Sequence, residues 1–157
     1  MMNMVRRFLH WLLFTYDMDV KIMDGGRQPT RAYKKDAGYD LYVSKATKVP
    51  PHQYVNVPTG VAIKSNGVPL WLWLASRSST MMSHGLLVDT AIIDDGYTGE
   101  LFMKVYNLTD KVVHLPPGAR IGQVVPMVHA QCRFRNVEHF TVKRGERGGK
   151  GFGSSGI

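Results

Sequence analysis

The chain has a single cysteine, Cys132, in 157 residues, so no internal disulfide can form. A lone thiol fits a reducing compartment, and burial in the packing is its expected role. The N-terminal apolar run Phe8-Leu9-His10-Trp11-Leu12-Leu13-Phe14 stops far short of the roughly 20 residues that a membrane span requires. The six histidines, at 10, 52, 84, 114, 129 and 139, lack the spacing of a metal motif, and no cysteine pair exists to hold zinc. The two-glycine, Lys-Ser/Thr pattern of a P-loop is absent too, which removes that route to phosphate binding. Acidic side chains are scarce, 12 against 20 lysines and arginines, and the net charge of +8 suggests an anionic partner. Nucleic acid, an acidic membrane surface and a small polyphosphate all satisfy that charge.

What is present reads as one ordinary globular domain, 44% hydrophobic and 20% charged, long enough to bury its own core. Residues 1–17 differ in texture from the rest. Two arginines before a short apolar run resemble a signal peptide, yet no small-residue cleavage site follows and Asp17, Asp19 and Lys21 come at once. The segment reads as an N-terminal extension ahead of a domain that starts near Met18, or as an amphipathic interaction segment. From Val20 onward the pattern is mostly strand. Tyr54 to Val57, Val61 to Lys64, Leu70 to Leu74, Leu86 to Val88, Leu101 to Tyr106, Val112 to His114 and Ile121 to Val128 are short, β-rich and separated by turn residues. One or two helical turns are expected at Ser78 to His84. The expectation is an all-β domain, a distorted barrel or jelly roll over residues 18–143, with a loose glycine-rich arm over 144–157.

Function has to be argued from the polar residues, because such folds host many activities. Ala37-Gly38-Tyr39-Asp40-Leu41-Tyr42 sets one carboxylate among apolar neighbours, although a turn at a strand start would explain it. Ala75-Ser76-Arg77-Ser78-Ser79 ends an apolar strand with a cation and three hydroxyls, a phosphate grip or a helix cap. Ile92-Ile93-Asp94-Asp95-Gly96-Tyr97-Thr98-Gly99 reads as a hairpin around Asp-Gly, with Asp94 directly after two aliphatics, where desolvation suits a carboxylate to act as a base. Gly118-Ala119-Arg120-Ile121-Gly122-Gln123 puts an arginine and a glutamine beside a turn. The glycine-rich end, Arg147 to Ile157, combines amide-rich backbone for phosphate oxygens with one flat ring, Phe152, for a base.

In this order the five segments resemble the ordered motifs of the trimeric dUTP pyrophosphatases (dUTPases), over Ala37 to Gly156. The closing motif, Arg147-Gly148-x-x-Gly151-Phe152-Gly153-Ser154-Ser155-Gly156, is the most specific. The resemblance implies a homotrimer that hydrolyses dUTP to dUMP and pyrophosphate in the cytoplasm, keeping uracil out of DNA and supplying dUMP. It implies that Asp94 activates the water that attacks the α-phosphorus. Main-chain groups of the third motif, Ile93 among them, would receive uracil, while Tyr97 packs on the deoxyribose and excludes a 2′-hydroxyl. Arg77, Ser78, Ser79 and Gln123 match the contacts to the phosphate chain. Mg²⁺ would be held chiefly by the phosphates, with Asp40 and Gln123 reached through water. The tail of a neighbouring subunit would close the site, Phe152 over uracil and Arg147 with Gly153, Ser154 and Ser155 on the γ-phosphate.

The pattern has departures. Ser76 stands where proline usually precedes the arginine, which would loosen the phosphate loop. Ala91 replaces a frequent glycine and would crowd the base pocket, and Asp89 and Thr90 also differ. Two rivals follow. The dCTP deaminases share parts of the second and third motifs but use a glutamate on the strand after the hairpin, where this chain has Lys104, and a second arginine where it has Met82. A nucleic-acid-binding protein would use the Arg-Gly-Gly tail with Lys34-Lys35 and Lys143-Arg144, yet the tail motif occurs once and such segments work as repeats. A signalling role, in which nucleotide orders the tail for a partner protein, is compatible with the fold.

Overall fold

Leu70-Trp71-Leu72-Trp73-Leu74-Ala75-Ser76 sets the plan of the molecule, because alternate residues of a strand face opposite sides of its sheet. In the computed structural model, which describes residues 15–141 and 143, Leu70, Leu72 and Leu74 are buried while Trp71, Trp73 and Ala75 face out. Each buried leucine contributes about 1.5–3 kcal/mol, so this strand is a main anchor of the core.

Eleven strands and one helix form in the described residues. They are β1 (Met18–Ile22), β2 (Tyr39–Tyr42), β3 (Thr47–Val49), β4 (Tyr54–Pro58), β5 (Val61–Ser65), β6 (Leu70–Ser76), α1 (Ser78–His84), β7 (Leu86–Val88), β8 (Ala91–Ile93), β9 (Phe102–Asn107), β10 (Val113–Leu115) and β11 (Arg120–Val128). All pairings are antiparallel. A four-stranded sheet runs β2-β11-β6-β8, a three-stranded sheet β4-β9-β7, and two pairs, β1-β5 and β10-β3, complete the wall. Leu41, Val43, Val57, Val61, Leu86, Leu101, Met103, Val105 and Ile121 fill the space between them. The expected all-β architecture and its single short helix are present.

Several connections explain themselves chemically. Pro116-Pro117-Gly118 turns into β11 with Gly118 at φ 83°, a conformation glycine adopts without strain. Helix α1 ends on Gly85 at φ 61°, whose N–H is donated to the carbonyl of Met81. Two expectations are corrected. Cys132 is exposed, because β11 ends at Val128 and the chain beyond leaves the core. The third motif makes a turn but no hairpin ladder: the Tyr97 N–H bonds the Asp94 carbonyl across Gly96 at φ 89°, yet β8 pairs only with β6, and β9 with β4 and β7.

Candidate active site

The four-stranded sheet has two faces, and its outer face carries the motif side chains. Register places Gln123 beside both Asp40 and Ala75, and Val125 beside Trp73, which in turn pairs with Ile92. Asp40, Gln123, Trp73 and Ile92 therefore share the outer side.

At one end of that face the Asp40 carboxylate is nearly buried and held by two guanidiniums. Arg77 Nε lies 2.8 Å from Oδ1, and Arg120 Nη1 lies 3.1 Å from Oδ2. Arg77 Nη1 also donates to the Arg120 carbonyl at 3.1 Å. Such charge-assisted bonds lock both arginines and leave part of the Arg77 fork facing a cavity. That cavity, about 370 Å³, is lined by Asp40, Arg77, Ser78, Gln123, Gly38 and the loop residues before them. Gln123 donates Nε2 to the Ser76 carbonyl at 3.0 Å, and Gly38 makes room for its other end. A Cβ on Gly38 would stand 1.9 Å from Gln123 Oε1, so any side chain there displaces the amide.

The second motif holds its shape through a neighbour. Thr80, buried in α1, donates Oγ1 to the Ile121 carbonyl at 2.8 Å and so pins the helix to β11. The helix begins after Arg77 without a side-chain cap, so Ser78 and Ser79 are not acting as caps. Ser78 lines the cavity, whereas Ser79 is exposed and outside its lining. Ser76, in the place of the usual proline, donates Oγ to the Arg77 carbonyl at 3.1 Å, a tether that proline lacks.

The third motif sits elsewhere. Ile93 pairs with Leu72 and faces inward, and Asp94 follows it at the far end of β6. From Leu72 to Arg77 is five residues, about 16 Å at the strand rise of roughly 3.3 Å. Asp94 is exposed, and its carboxylate makes no bond to any described residue. Asp95 accepts a 2.6 Å bond from Ser65 Oγ, which ties the turn to β5. Tyr97 donates its hydroxyl to the Glu100 carbonyl at 3.1 Å, and its ring lies over Gly99, where a Cβ would meet the hydroxyl at 2.4 Å. The exposure of Asp94 removes the desolvation argument within one chain. Between the two ends of the face lies apolar surface, with Trp73 42% and Ile92 66% exposed.

Arg120 is the residue that sequence reasoning left without a role. Simple alternation from Gln123 puts it on the inner face, but a bulge between Arg120 and Gly122 shifts the register, burying Ile121 and turning Arg120 outward. A larger cavity of about 530 Å³, whose lining includes Met18, Val20, Tyr39, Ile63, Leu70 and Leu72 and shares Asp36 and Ala37 with the first, holds none of Asp40, Arg77, Ser78, Gln123 or Asp94. Among the described residues no three histidine, cysteine or acidic side chains gather to hold a metal directly. Arg147, Phe152, Gly153, Ser154 and Ser155 lie outside the described residues.

A family model described as dUTPase matches residues 25–156. The chain belongs to the dUTPase family. It is 36% identical over 148 residues to a deoxyuridine 5′-triphosphate nucleotidohydrolase of Photorhabdus laumondii, a match covering 88% of this chain and 96% of that protein. Among solved structures it is similar to a point mutant of the dUTPase of Staphylococcus bacteriophage 80alpha with dUpNHpp, at TM-score 0.82 and 28% identity, over 91% of this chain and 100% of that one. A mutant dUTPase of S. aureus phage phi11, described with a structural Mg(II) ion, shares the fold at TM-score 0.74 and 22% identity, over 80% of this chain and 99% of that one. The deaminase rival loses further ground in the geometry: Lys104 lies on the outward side of the other sheet, over the Tyr54 ring and 3.8 Å from Asp89. That ion pair also accounts for Asp89; nothing in the structure explains Thr90.

Proposed function

We propose that this dUTPase hydrolyses dUTP to dUMP and pyrophosphate in sites shared between subunits of a homotrimer. The observation that carries the reading is the layout of one sheet face, with an arginine-lined cavity at one end, Asp94 and Tyr97 at the other, and exposed apolar surface between. A separation of about 16 Å along the strand between the third motif, with Asp94, and Arg77 favours a site in which the two come from different chains. Packing this face on copies of itself buries Trp73 and Ile92 and brings one chain's Asp94 to another's cavity. A closed ring does so at every interface.

In this reading Arg77, Ser78 and Gln123 bind the triphosphate and Asp40 braces Arg77 through its paired carboxylate. Asp94 takes the proton of a water aimed in line at the α-phosphorus, and the Arg77 guanidinium stabilises the pyrophosphate that leaves. Main-chain groups near Ile93 receive uracil, and Tyr97, fixed against Gly99 and Glu100, meets the sugar. Ser79, exposed on α1, is assigned to the phosphate side through a neighbouring subunit. Arg147, Phe152, Gly153, Ser154 and Ser155 close the site and exclude bulk water. The donor set fits Mg²⁺ held mainly by phosphate: Gln123 Oε1 is free to accept from a hydrating water, and the Asp40 oxygens keep lone pairs beyond those given to the arginines. When bound, the ion neutralises charge on the triphosphate. A cytoplasmic setting suits an exposed free thiol at Cys132.

Subunit mixing tests the shared site. Asp94→Asn and Arg77→Ala chains, each inactive alone, are dissociated, mixed and reassociated. Random pairing restores about a quarter of wild-type dUTP turnover if each site draws Asp94 and Arg77 from different subunits of the ring. No recovery from a properly reassociated mixture would confine the site to one chain.

A further inference from the structure

With Arg120 counted beside it, the charges at the phosphate cavity balance to zero, and its own lining carries one more carboxylate than cation. Asp36 and Asp40 are lining carboxylates, Arg77 is the lining cation, and Arg120 holds the second oxygen of Asp40. A neutral cavity adds no pull of its own to the +8 of the whole chain, so local attraction for a polyphosphate falls to its rim.

Two lysines stand there. Tyr33 to Asp36 is a tight turn, with the Asp36 N–H donated to the Tyr33 carbonyl at 3.1 Å and the Tyr33 N–H to Asp36 Oδ2 at 2.9 Å. Lys34 and Lys35 occupy its two central positions, the tip. The turn's flanks, Ala32, Asp36 and Ala37, are part of the wall that Arg77 also lines, so the tip follows directly on that wall. Both lysines are exposed, and neither pairs with a carboxylate among the described residues. Asp36, the acid of their own turn, spends Oδ2 on the Tyr33 N–H. Arg31 is drawn away, over the Tyr39 ring and onto the Asp36 carbonyl.

We infer that Lys34 and Lys35 form a rim subsite that captures the terminal phosphates of the incoming nucleotide and hands them to Arg77. This rests on the dUTP-hydrolysing reading above. It gives the basic pair a small polyphosphate as its ligand instead of nucleic acid, because the turn that carries the two lysines also supplies wall of the cavity that Arg77 lines.

The test compares wild-type protein with Lys34→Ala/Lys35→Ala and with the charge-keeping Lys34→Arg/Lys35→Arg. Steady-state dUTP hydrolysis is followed at about 20 mM and about 500 mM salt, where the Debye length falls from roughly 20 Å to about 4 Å. The alanine pair should raise KM about 3- to 10-fold at low salt with kcat changed less than about two-fold, should lose most of that difference at high salt, and should be rescued by the arginine pair. Inorganic tripolyphosphate, titrated by calorimetry at low salt, should weaken in parallel. Equal KM values and equal tripolyphosphate affinity at low salt would overturn the subsite. Loss of retention on a single-stranded oligonucleotide without any change in these two would assign the pair to nucleic acid instead. If wild-type protein binds tripolyphosphate through these lysines but does not turn over dUTP, the subsite stands and the proposed function fails.

Discussion

Asp40 is the residue whose meaning changes most on folding. Read along the chain it is a lone carboxylate near a turn, but in the fold both oxygens are held by guanidiniums and it acts as a brace. Arg120→Ala frees one oxygen of Asp40 and leaves Arg77 held by the other oxygen and by the main-chain carbonyl at position 120, so the brace is loosened on one side only. The substitution should lower kcat/KM for dUTP about 10-fold while the protein stays folded, measured by initial rates alongside circular dichroism, since the lost bond is half-exposed and sits at the low end of the roughly 1.5–3 kcal/mol that hydrogen bonds to charged groups are worth. Gly38→Ala acts on the same cavity by sterics. Its methyl takes the place of Gln123 Oε1, so the expected result is weaker triphosphate binding, with KM rising more than kcat falls. Asp94→Asn removes the proposed base and should reduce kcat about 10²- to 10⁴-fold with KM little changed, in pyrophosphate-release assays. The deviant Ala91 is exposed on β8 and pairs with Leu74, so within one chain it crowds nothing.

At the scale of elements the site depends on how α1 and β11 are joined. Thr80 donates from the buried side of the helix to a β11 carbonyl, next to the bulge that turns Arg120 outward. Thr80→Val leaves the Ile121 carbonyl unpaired in the core and should destabilise the fold by about 1–3 kcal/mol, read from urea unfolding. The same change loosens the Arg77 loop, so dUTP affinity falls with it. Most elements were legible beforehand, for a plain reason. Strands such as Leu70 to Ser76 alternate leucine with outward residues, and turn residues mark their ends. The strands β1, β2 and β3 were not, because a charged residue interrupts the apolar run in each. The hairpin expected at Asp95-Gly96 failed because a good turn dipeptide fixes only the turn, while pairing partners are chosen by the sheet as a whole.

For the whole molecule, the exposed outer face of the four-stranded sheet and the separation of Asp94 from Arg77 are the two features that the proposed homotrimer accounts for. Light scattering on the purified 17.6 kDa chain should return about three times the monomer mass, and Trp73→Glu should lower it by placing charge on the buried contact. Deleting the residues after Glu146 should leave that mass unchanged and remove most turnover, which separates assembly from closure. The sequence alone determined the family and the class of chemistry, because the five motifs are local strings whose residue types and order survive without coordinates. It also determined most strands, since period-two burial is written into adjacent residues. Only the tertiary structure decided that Asp40 braces two arginines, that a bulge turns Arg120 outward, and that Asp94 stands at the far end of the face from the cavity. Those facts depend on register between distant strands, and a one-residue slip in register, invisible to any local pattern, sends a side chain to the other face.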